Sequence, residues 1–213
     1  MKISIKLHLP CQSTSKMSFK NAIALTGGIA TGKSTVSSML ELHGFKIIDA
    51  DKVAHQMLDI HADKIADIFG DGYIHEGKVN RKKLGTLIFS DKNERLKLEA
   101  LLHPLIKEEI QKQAFPYERK NIPYIIDIPL FFEKKSYDID EVVIVYCTKE
   151  QQLQRLVERE GLSEIDAQKR IGAQMDIDEK KEVASFVIEN TENIKHLETE
   201  VEKFVIYVQK KNQ

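Results

Sequence analysis

Residues Gly27-Gly28-Ile29-Ala30-Thr31-Gly32-Lys33-Ser34 match the pattern G-x-x-x-x-G-K-[ST], whose chemistry is phosphate binding. The glycines let a loop turn its N–H groups inward around a phosphate, and a following helix adds the partial positive charge of its N-terminus. Lys33 supplies a point charge for the β- and γ-phosphates, and the Ser34 hydroxyl a ligand for Mg²⁺. The nucleotide-contacting set expected from this loop is Gly28, Ile29, Ala30, Thr31, Gly32, Lys33, Ser34 and Thr35. A glycine-rich turn that binds nothing is the plain alternative. The apolar run before the loop and the helical pattern after it argue against that alternative.

A nucleoside triphosphate bound there needs an acid to position its metal. Asp127 stands where the apolar run Tyr124–Ile128 meets a carboxylate, as a Walker B aspartate does; because Pro129 follows so closely, capping of the next turn is the alternative. Asp49 and Asp51 form a second acidic pair just after the run Phe45–Ile48. Either could take the proton of an attacking hydroxyl within hydrogen-bond reach, and either could N-cap the next helix. Arg155 and Arg159, at i and i+4, share a helix face and suit a lid reaching over the γ-phosphate. Glu158, Glu160 and Glu164 nearby also fit a solvated ion-pair face, and Arg170 stands open between the two readings. Asn80-Arg81-Lys82 puts cations just after a turn, which suits an anionic acceptor and a solvated helix start alike. His103 precedes Pro104 inside a helical stretch. A proline there predicts a kink or boundary that aims the imidazole at a ligand, with a structural hydrogen bond as the alternative. The seven histidines make no zinc-binding spacing, so no metal beyond Mg²⁺ is expected.

Such residues need a scaffold. Five apolar runs, Ala22–Thr26, Phe45–Ile48, Tyr124–Ile128, Glu141–Cys147 and Phe186–Ile188, have the continuous Ile and Val content of strands buried on both faces. Val36, Met39 and Leu40 recur at helical spacing between Ser34 and His43, and Gly44 supplies a stop. Repeated strand-helix-strand units predict an α/β fold: a P-loop NTPase three-layer core with a mostly parallel five-stranded sheet and ligands beyond the strands' carboxyl ends. The polar stretch over about 51–102 breaks this rhythm and reads as an inserted helical substrate lobe, with a turn-rich interruption at Gly70–Asn80. Thr148 with Gln151, and Ser163 with Asp166, have capping spacing. They open two short charged helices separated by Gly161, a short helical lid over about 148–175. The core then covers about 21–50, 103–147 and 176–211 of a single domain over 21–211, preceded by an N-terminal extension over 1–20.

At 42% hydrophobic and 31% charged residues the chain can bury a core, which excludes the disordered, collagen-like and membrane-spanning classes. Its 32 Lys plus Arg against 33 Asp plus Glu give a net charge of −1, no field for steering nucleic acid or anionic lipid. An anionic ligand must be held by local groups, with neither nucleic acid nor membrane as partner. Cys11 and Cys147 suggest neither a disulfide framework nor a zinc site, and a cytoplasmic location is expected. No apolar run approaches the ~20 residues of a membrane span. Residues 1–16, before Met17, are too polar after Leu9 for a signal peptide. They read as dispensable or a start-site artefact, with an edge strand over ISIKLHL as the alternative.

In order along the chain, LTGGIATGKSTV (Leu25–Val36), IDADKVAH (Ile48–His55), VNRKKLGTLIF (Val79–Phe89), LEALLHPLI (Leu98–Ile106), DIPLFFE (Asp127–Glu133), QLQRLVEREGLSEIDAQKRIGAQ (Gln152–Gln174) and FVIEN (Phe186–Asn190) resemble the motifs of the dephospho-CoA kinase family. The resemblance spans nearly the whole chain, and the order of the motifs makes it specific. It implies phosphoryl transfer from MgATP to the ribose 3′-hydroxyl of dephospho-CoA, with ATP and Mg²⁺ as cofactors; a monomer or weak homo-oligomer is expected. It implies Asp51 as the base, with Asp49 orienting acceptor or metal and Lys33, Arg159 and Arg155 gathering charge on the moving phosphoryl group. Thr26, Asp49, Asp51, Asn80, Arg81, His103, Pro129, Leu130 and Glu133 fall on its acceptor side, and Asn190 lies near the adenine.

Two departures stand out. Ala30 occupies a place where many members have glycine, so the loop there should avoid a glycine-only backbone conformation, and the residues before Met17 have no counterpart. Rival readings are a P-loop kinase for a nucleoside monophosphate, gluconate or shikimate, a regulatory GTPase, and a nucleic-acid-dependent ATPase. The DAD, NR and HP motifs oppose the first, the lack of N-K-x-D the second, and the net charge the third.

Overall fold

The computed structural model describes residues 19–134 and 136–212; most of the expected extension, with Cys11 and Met17, lies outside them. The chain begins with β1 (Ala22–Gly27), buried along its whole length, followed by α1 (Lys33–Leu42) and β2 (Ile47–Asp49). Helices α2 (Ala50–Ile60) and α3 (Ala62–Phe69) lead to a hairpin of β3 (Ile74–His75) and β4 (Lys78–Val79). Then come α4 (Arg81–Ser90), the long α5 (Lys92–Lys120), β5 (Tyr124–Asp127), the short α6 (Phe131–Lys134) and β6 (Glu141–Tyr146). After α7 (Lys149–Glu160), α8 (Glu164–Gly172) and α9 (Ile177–Val183), the chain ends with β7 (Phe186–Glu189) and α10 (Ile194–Lys211).

The main sheet has the order β2-β5-β1-β6-β7, and every neighbouring pair is parallel. Side chains alternate across a strand, so β1 feeds two cores. Ala22 and Ala24 pack with Leu102, Ile110 and Ala114 of α5, while Ile23 and Leu25 pack with Val36 and Leu40 of α1 and Val201 and Phe204 of α10. This is the expected three-layer α/β core. Central β1 delivers the Gly27–Lys33 loop to the sheet's carboxyl edge, where the strand order reverses and ligands bind.

Local expectations differ from the structure at three places. β2 is an edge strand paired only over Ile47–Asp49, so Phe45 and Lys46 lie outside it. The turn-rich stretch contains the β3–β4 hairpin, whose Glu76 and Gly77 both have positive φ, 50° and 73°. That is the signature of a type I′ turn, hidden because two-residue strands carry no readable alternation. No boundary occurs at His103-Pro104, because α5 is one helix that runs through both Pro104 and Pro116. A proline removes one helical hydrogen bond, and the burial of Leu98, Leu102, Ile110 and Ala114 along α5 offsets that loss.

The capping signals hold. Thr148 and Gln151 form a reciprocal capping box, Ser163 Oγ accepts from the Asp166 N–H at 3.2 Å, and Gly161 ends α7 with a φ of 64°. Among the described residues no helix is long and apolar enough to cross a membrane.

Candidate active site

The loop after β1 is shaped by what its carbonyl groups bind. Gly27 C=O accepts from Lys180 Nζ at 3.1 Å, Gly28 C=O from Thr31 Oγ1 at 2.9 Å, Ile29 C=O from Gln152 Nε2 at 2.7 Å and Thr31 C=O from Asn190 Nδ2 at 2.8 Å. With these oxygens occupied, what the loop has to offer a phosphate is its peptide N–H groups, the kind of donor such a site needs. One of them, Ile29 N–H, donates to Gln174 Oε1 at 2.8 Å. Gly32, at φ 93°, sits where a Cβ would lie 2.2 Å from Asn190 Nδ2, so only glycine fits. Ala30 has φ 62°, in a left-handed region that favours glycine but is open to an alanine. An alanine tolerates the left-handed region at a cost of about 1 kcal/mol.

The loop lines a cavity of about 880 Å³ that also takes in Asp51, Pro129, Arg155, Arg159 and Gln174. Arg155 Nη2 donates to the Asn190 carbonyl at 2.9 Å, while its Nη1 is buried without a partner among the described residues. Arg159 is exposed and paired with Glu160 at 2.6 Å. Arg170 binds the same carboxylate and lines neither large cavity, so the ion-pair reading fits it.

On the other side of the loop, Asp127 at the end of β5 pairs with Lys33 Nζ and accepts from Ser37 Oγ at 3.2 Å. It faces the loop rather than capping the next turn. Burial pushes its carboxyl above the usual carboxylate range, Lys33 opposes the shift, and the Asp49 charge adds to it. Ser34, Asp49 and Asp127 share a smaller cavity of about 310 Å³. One hydroxyl and two carboxylates beside a phosphate loop are hard oxygen donors of the kind Mg²⁺ takes, completing its shell with phosphates and water.

The two candidate bases are separated by their place on α2. Asp49 is the N-cap, accepting from Lys52 N–H at 2.9 Å and pairing with Lys52 Nζ at 3.3 Å. Asp51, in the first turn, is exposed and has no such partner among the described residues. It lines both the loop cavity and a second, largely apolar cavity of about 790 Å³. The second cavity is walled by His103, Pro104 and Lys107 of α5, by Pro129 and Leu130, and by Tyr137. Burial first, and then the Asp51 charge, pushes the Tyr137 hydroxyl up to about 12. A carboxylate on the wall between a phosphate-binding loop and an acceptor-sized cavity can take a proton in one and face a phosphoryl group in the other.

Several expected site residues stand elsewhere. Thr26 is fully buried and donates to the Pro129 carbonyl at 3.1 Å, so it fixes the loop after β5 and faces no cavity. Asn80 caps α4 by accepting from Lys83 N–H at 3.0 Å, and Arg81 pairs with Asp59. Glu133 accepts from Met175 N–H at 3.0 Å and pairs with Lys180 at 2.7 Å. Asn190 spends its amide on the loop, as described. None of these polar groups lines either large cavity. The spacing of charged residues is silent on Gln152, Gln174, Tyr137 and Lys180, which the fold brings to the loop or the apolar cavity. For Gln174 the available signal was its place at the end of the lid motif.

Comparison with known proteins agrees with this architecture. The dephospho-CoA kinase family matches residues 21–196. A dephospho-CoA kinase of Sulfurimonas denitrificans is 51% identical over 89% of this chain and 94% of its own length. One from Helicobacter pylori is 47% identical over 89% and 98%. The solved structure of a dephospho-CoA kinase from Campylobacter jejuni aligns with a TM-score of 0.66 at 34% identity, covering 90% of this chain and 98% of that one. Motif order, a phosphate loop facing an apolar cavity across Asp51, and these likenesses place the chain in the dephospho-CoA kinase family.

Proposed function

We propose that this protein phosphorylates the ribose 3′-hydroxyl of dephospho-CoA from MgATP, giving coenzyme A and ADP. The observation that carries the reading is Asp51, on the wall common to the loop cavity and the acceptor cavity. The names of the relatives supply the acceptor, and the apolar cavity walled by His103, Pro129, Leu130 and Tyr137 has the volume for part of it. In the proposed step Asp51 accepts the 3′-hydroxyl proton as the ribose oxygen bonds to the γ-phosphorus and the bond to the departing ADP oxygen breaks. Lys33 exchanges Asp127 for the β- and γ-phosphates, and the N–H groups of the loop hold the same oxygens. Arg155 and Arg159 border that cavity from the lid and would meet charge on the moving group, Arg159 after leaving Glu160. Ser34 and Asp127, with Asp49 beside them, would hold Mg²⁺, which when bound neutralises charge between the β- and γ-phosphates. Positioning and electrostatics account for most of the catalysis, because a loose phosphoryl-transfer transition state needs little covalent help.

The test is ADP release from MgATP with dephospho-CoA, AMP, adenosine, gluconate, shikimate or no acceptor, with mass detection of the product. Turnover on dephospho-CoA alone, with a product heavier by one phosphoryl group, is expected. Silence on dephospho-CoA with turnover of another acceptor would refute the acceptor assignment.

A further inference from the structure

Lys180 is fully buried, 0% exposed, although its sequence context DEKKE is that of a solvated helix face. A lysine is almost never fully buried unless paired, and the contacts of Lys180 account for its burial. Its Nζ donates to the Gly27 carbonyl at 3.1 Å, where β1 becomes the phosphate loop, and pairs with Glu133 Oε1 at 2.7 Å. The same Glu133 oxygen accepts from Met175 N–H at 3.0 Å, and the preceding residue, Gln174, accepts from Ile29 N–H at 2.8 Å. These contacts form a closed circuit: phosphate loop, Lys180, Glu133, the Gln174–Met175 segment, and phosphate loop again. Each member belongs to a different functional segment. Gly27 and Ile29 lie in the donor loop, Glu133 is in α6, whose Phe131 and Lys134 line the acceptor cavity, and Gln174–Met175 is where the lid rejoins the core.

We propose that Lys180, through its ion pair with Glu133, is a positioning residue that fixes the phosphate loop against the acceptor wall and the base of the lid. It touches no cavity and takes no part in bond making. Its contribution is geometric: a donor loop displaced by about 1 Å from its acceptor costs on the order of 10² in rate. A buried ammonium suits this task because each departure leaves a charge unpaired, so the loop has one favourable setting. The proposal rests on the reading of the loop as the ATP site and of the adjoining cavity as the acceptor site.

The experiment compares the full-length protein with Lys180→Met, Lys180→Arg and Glu133→Gln. Steady-state kcat and KM for ATP and dephospho-CoA are measured alongside Tm and amide hydrogen exchange of residues 27–29 and 174–176. Lys180→Met should lower kcat per folded molecule by about tenfold to a hundredfold, with a much smaller change in the KM for ATP, and speed exchange at Ile29 and Met175. Lys180→Arg should recover part of the loss. Glu133→Gln, which keeps the side-chain shape and an acceptor for Met175 N–H, should lower kcat by less and serves as the test if Lys180→Met does not fold. A drop in Tm with kcat and both KM values within twofold of wild type would overturn the proposal, leaving Lys180 a stability residue. Unchanged exchange at Ile29 and Met175 would also overturn it, without reference to turnover. Wild-type protein inactive on dephospho-CoA would refute the acceptor assignment instead, and the exchange comparison would still decide the circuit.

Discussion

Replacing Asp51 by Asn separates the two carboxylates that sequence alone leaves open. The substitution keeps size and shape and removes only the negative charge and its capacity to accept a proton. The structural cost should be small, because Asp51 is exposed and the helix keeps Asp49 as its N-cap. Losing one acid from the first turn of α2 costs about 0.3–1 kcal/mol of helix-dipole interaction. The catalytic cost should be much larger. Loss of a general base typically removes 10²–10⁴ in rate, about 2.7–5.5 kcal/mol of barrier at roughly 1.4 kcal/mol per decade. Asp51 also borders the loop cavity, so neutralising it takes a like charge away from the phosphates and leaves ATP affinity unchanged or slightly tighter. The assay measures CoA formation at saturating substrates, with ATP binding followed separately by calorimetry. Asp49→Asn is the control: Asn caps a helix as well as Asp, and the lost exposed pair with Lys52 is worth about 0–1 kcal/mol. Its kcat should fall less than tenfold at saturating Mg²⁺, with a higher Mg²⁺ requirement. Asp51→Asn retaining more than about a tenth of wild-type kcat, or Asp49→Asn losing as much, would refute the assignment of the base.

Three further perturbations follow from the geometry of the loop. Ala30→Gly releases a left-handed alanine and should stabilise the protein by up to about 0.5 kcal/mol, once the extra backbone entropy of glycine is subtracted from the roughly 1 kcal/mol of strain; calorimetry should read a Tm rise of up to about 2 °C, and a lower Tm would contradict it. Gly32→Ala combines φ 93° with a Cβ 2.2 Å from Asn190 Nδ2, so it should cost about 2 kcal/mol through strain and the lost bond to the Thr31 carbonyl, with ATP binding impaired; an unchanged Tm and ATP affinity would show that the loop sits otherwise. Asp127 binds its proton more tightly in the fold than in the unfolded chain, since burial raises it; its contribution is therefore fullest below the usual carboxylate range and is lost as pH rises through the raised value. Lys33→Met removes the charge that opposes this shift, so urea-denaturation stabilities between about pH 4 and 8 should fall further below wild type as pH rises, and a pH-independent difference would refute the pairing.

What the sequence discloses about this site depends on how far apart in the chain the interacting groups lie. The phosphate loop, the Thr148–Gln151 capping box and the burial of β1 are written within a few consecutive residues, and each appears as read. Asp49 and Asp51 are only two residues apart, yet the start of α2 falls between them. One becomes the cap facing Lys52 while the other turns toward both large cavities, a distinction of helix phase that composition cannot express. Pro104 fails as a boundary because packing along α5 outweighs a single missing hydrogen bond. The conformation of Ala30 is equally hidden, since an alanine carries no mark of its φ. The contacts that hold the loop's shape are the least legible: Ile29 to Gln174 and Gly27 to Lys180 join residues separated by 145 and 153 positions. Their side chains are amides, which leave no charge pattern, and a lysine inside a run that reads as solvent-facing. A phosphate-binding motif therefore announces what the loop can bind, while its orientation toward an acceptor is set by distant residues that local pattern assigns to the surface. Lys180, buried at the centre of those contacts, is the residue on which that argument stands or falls.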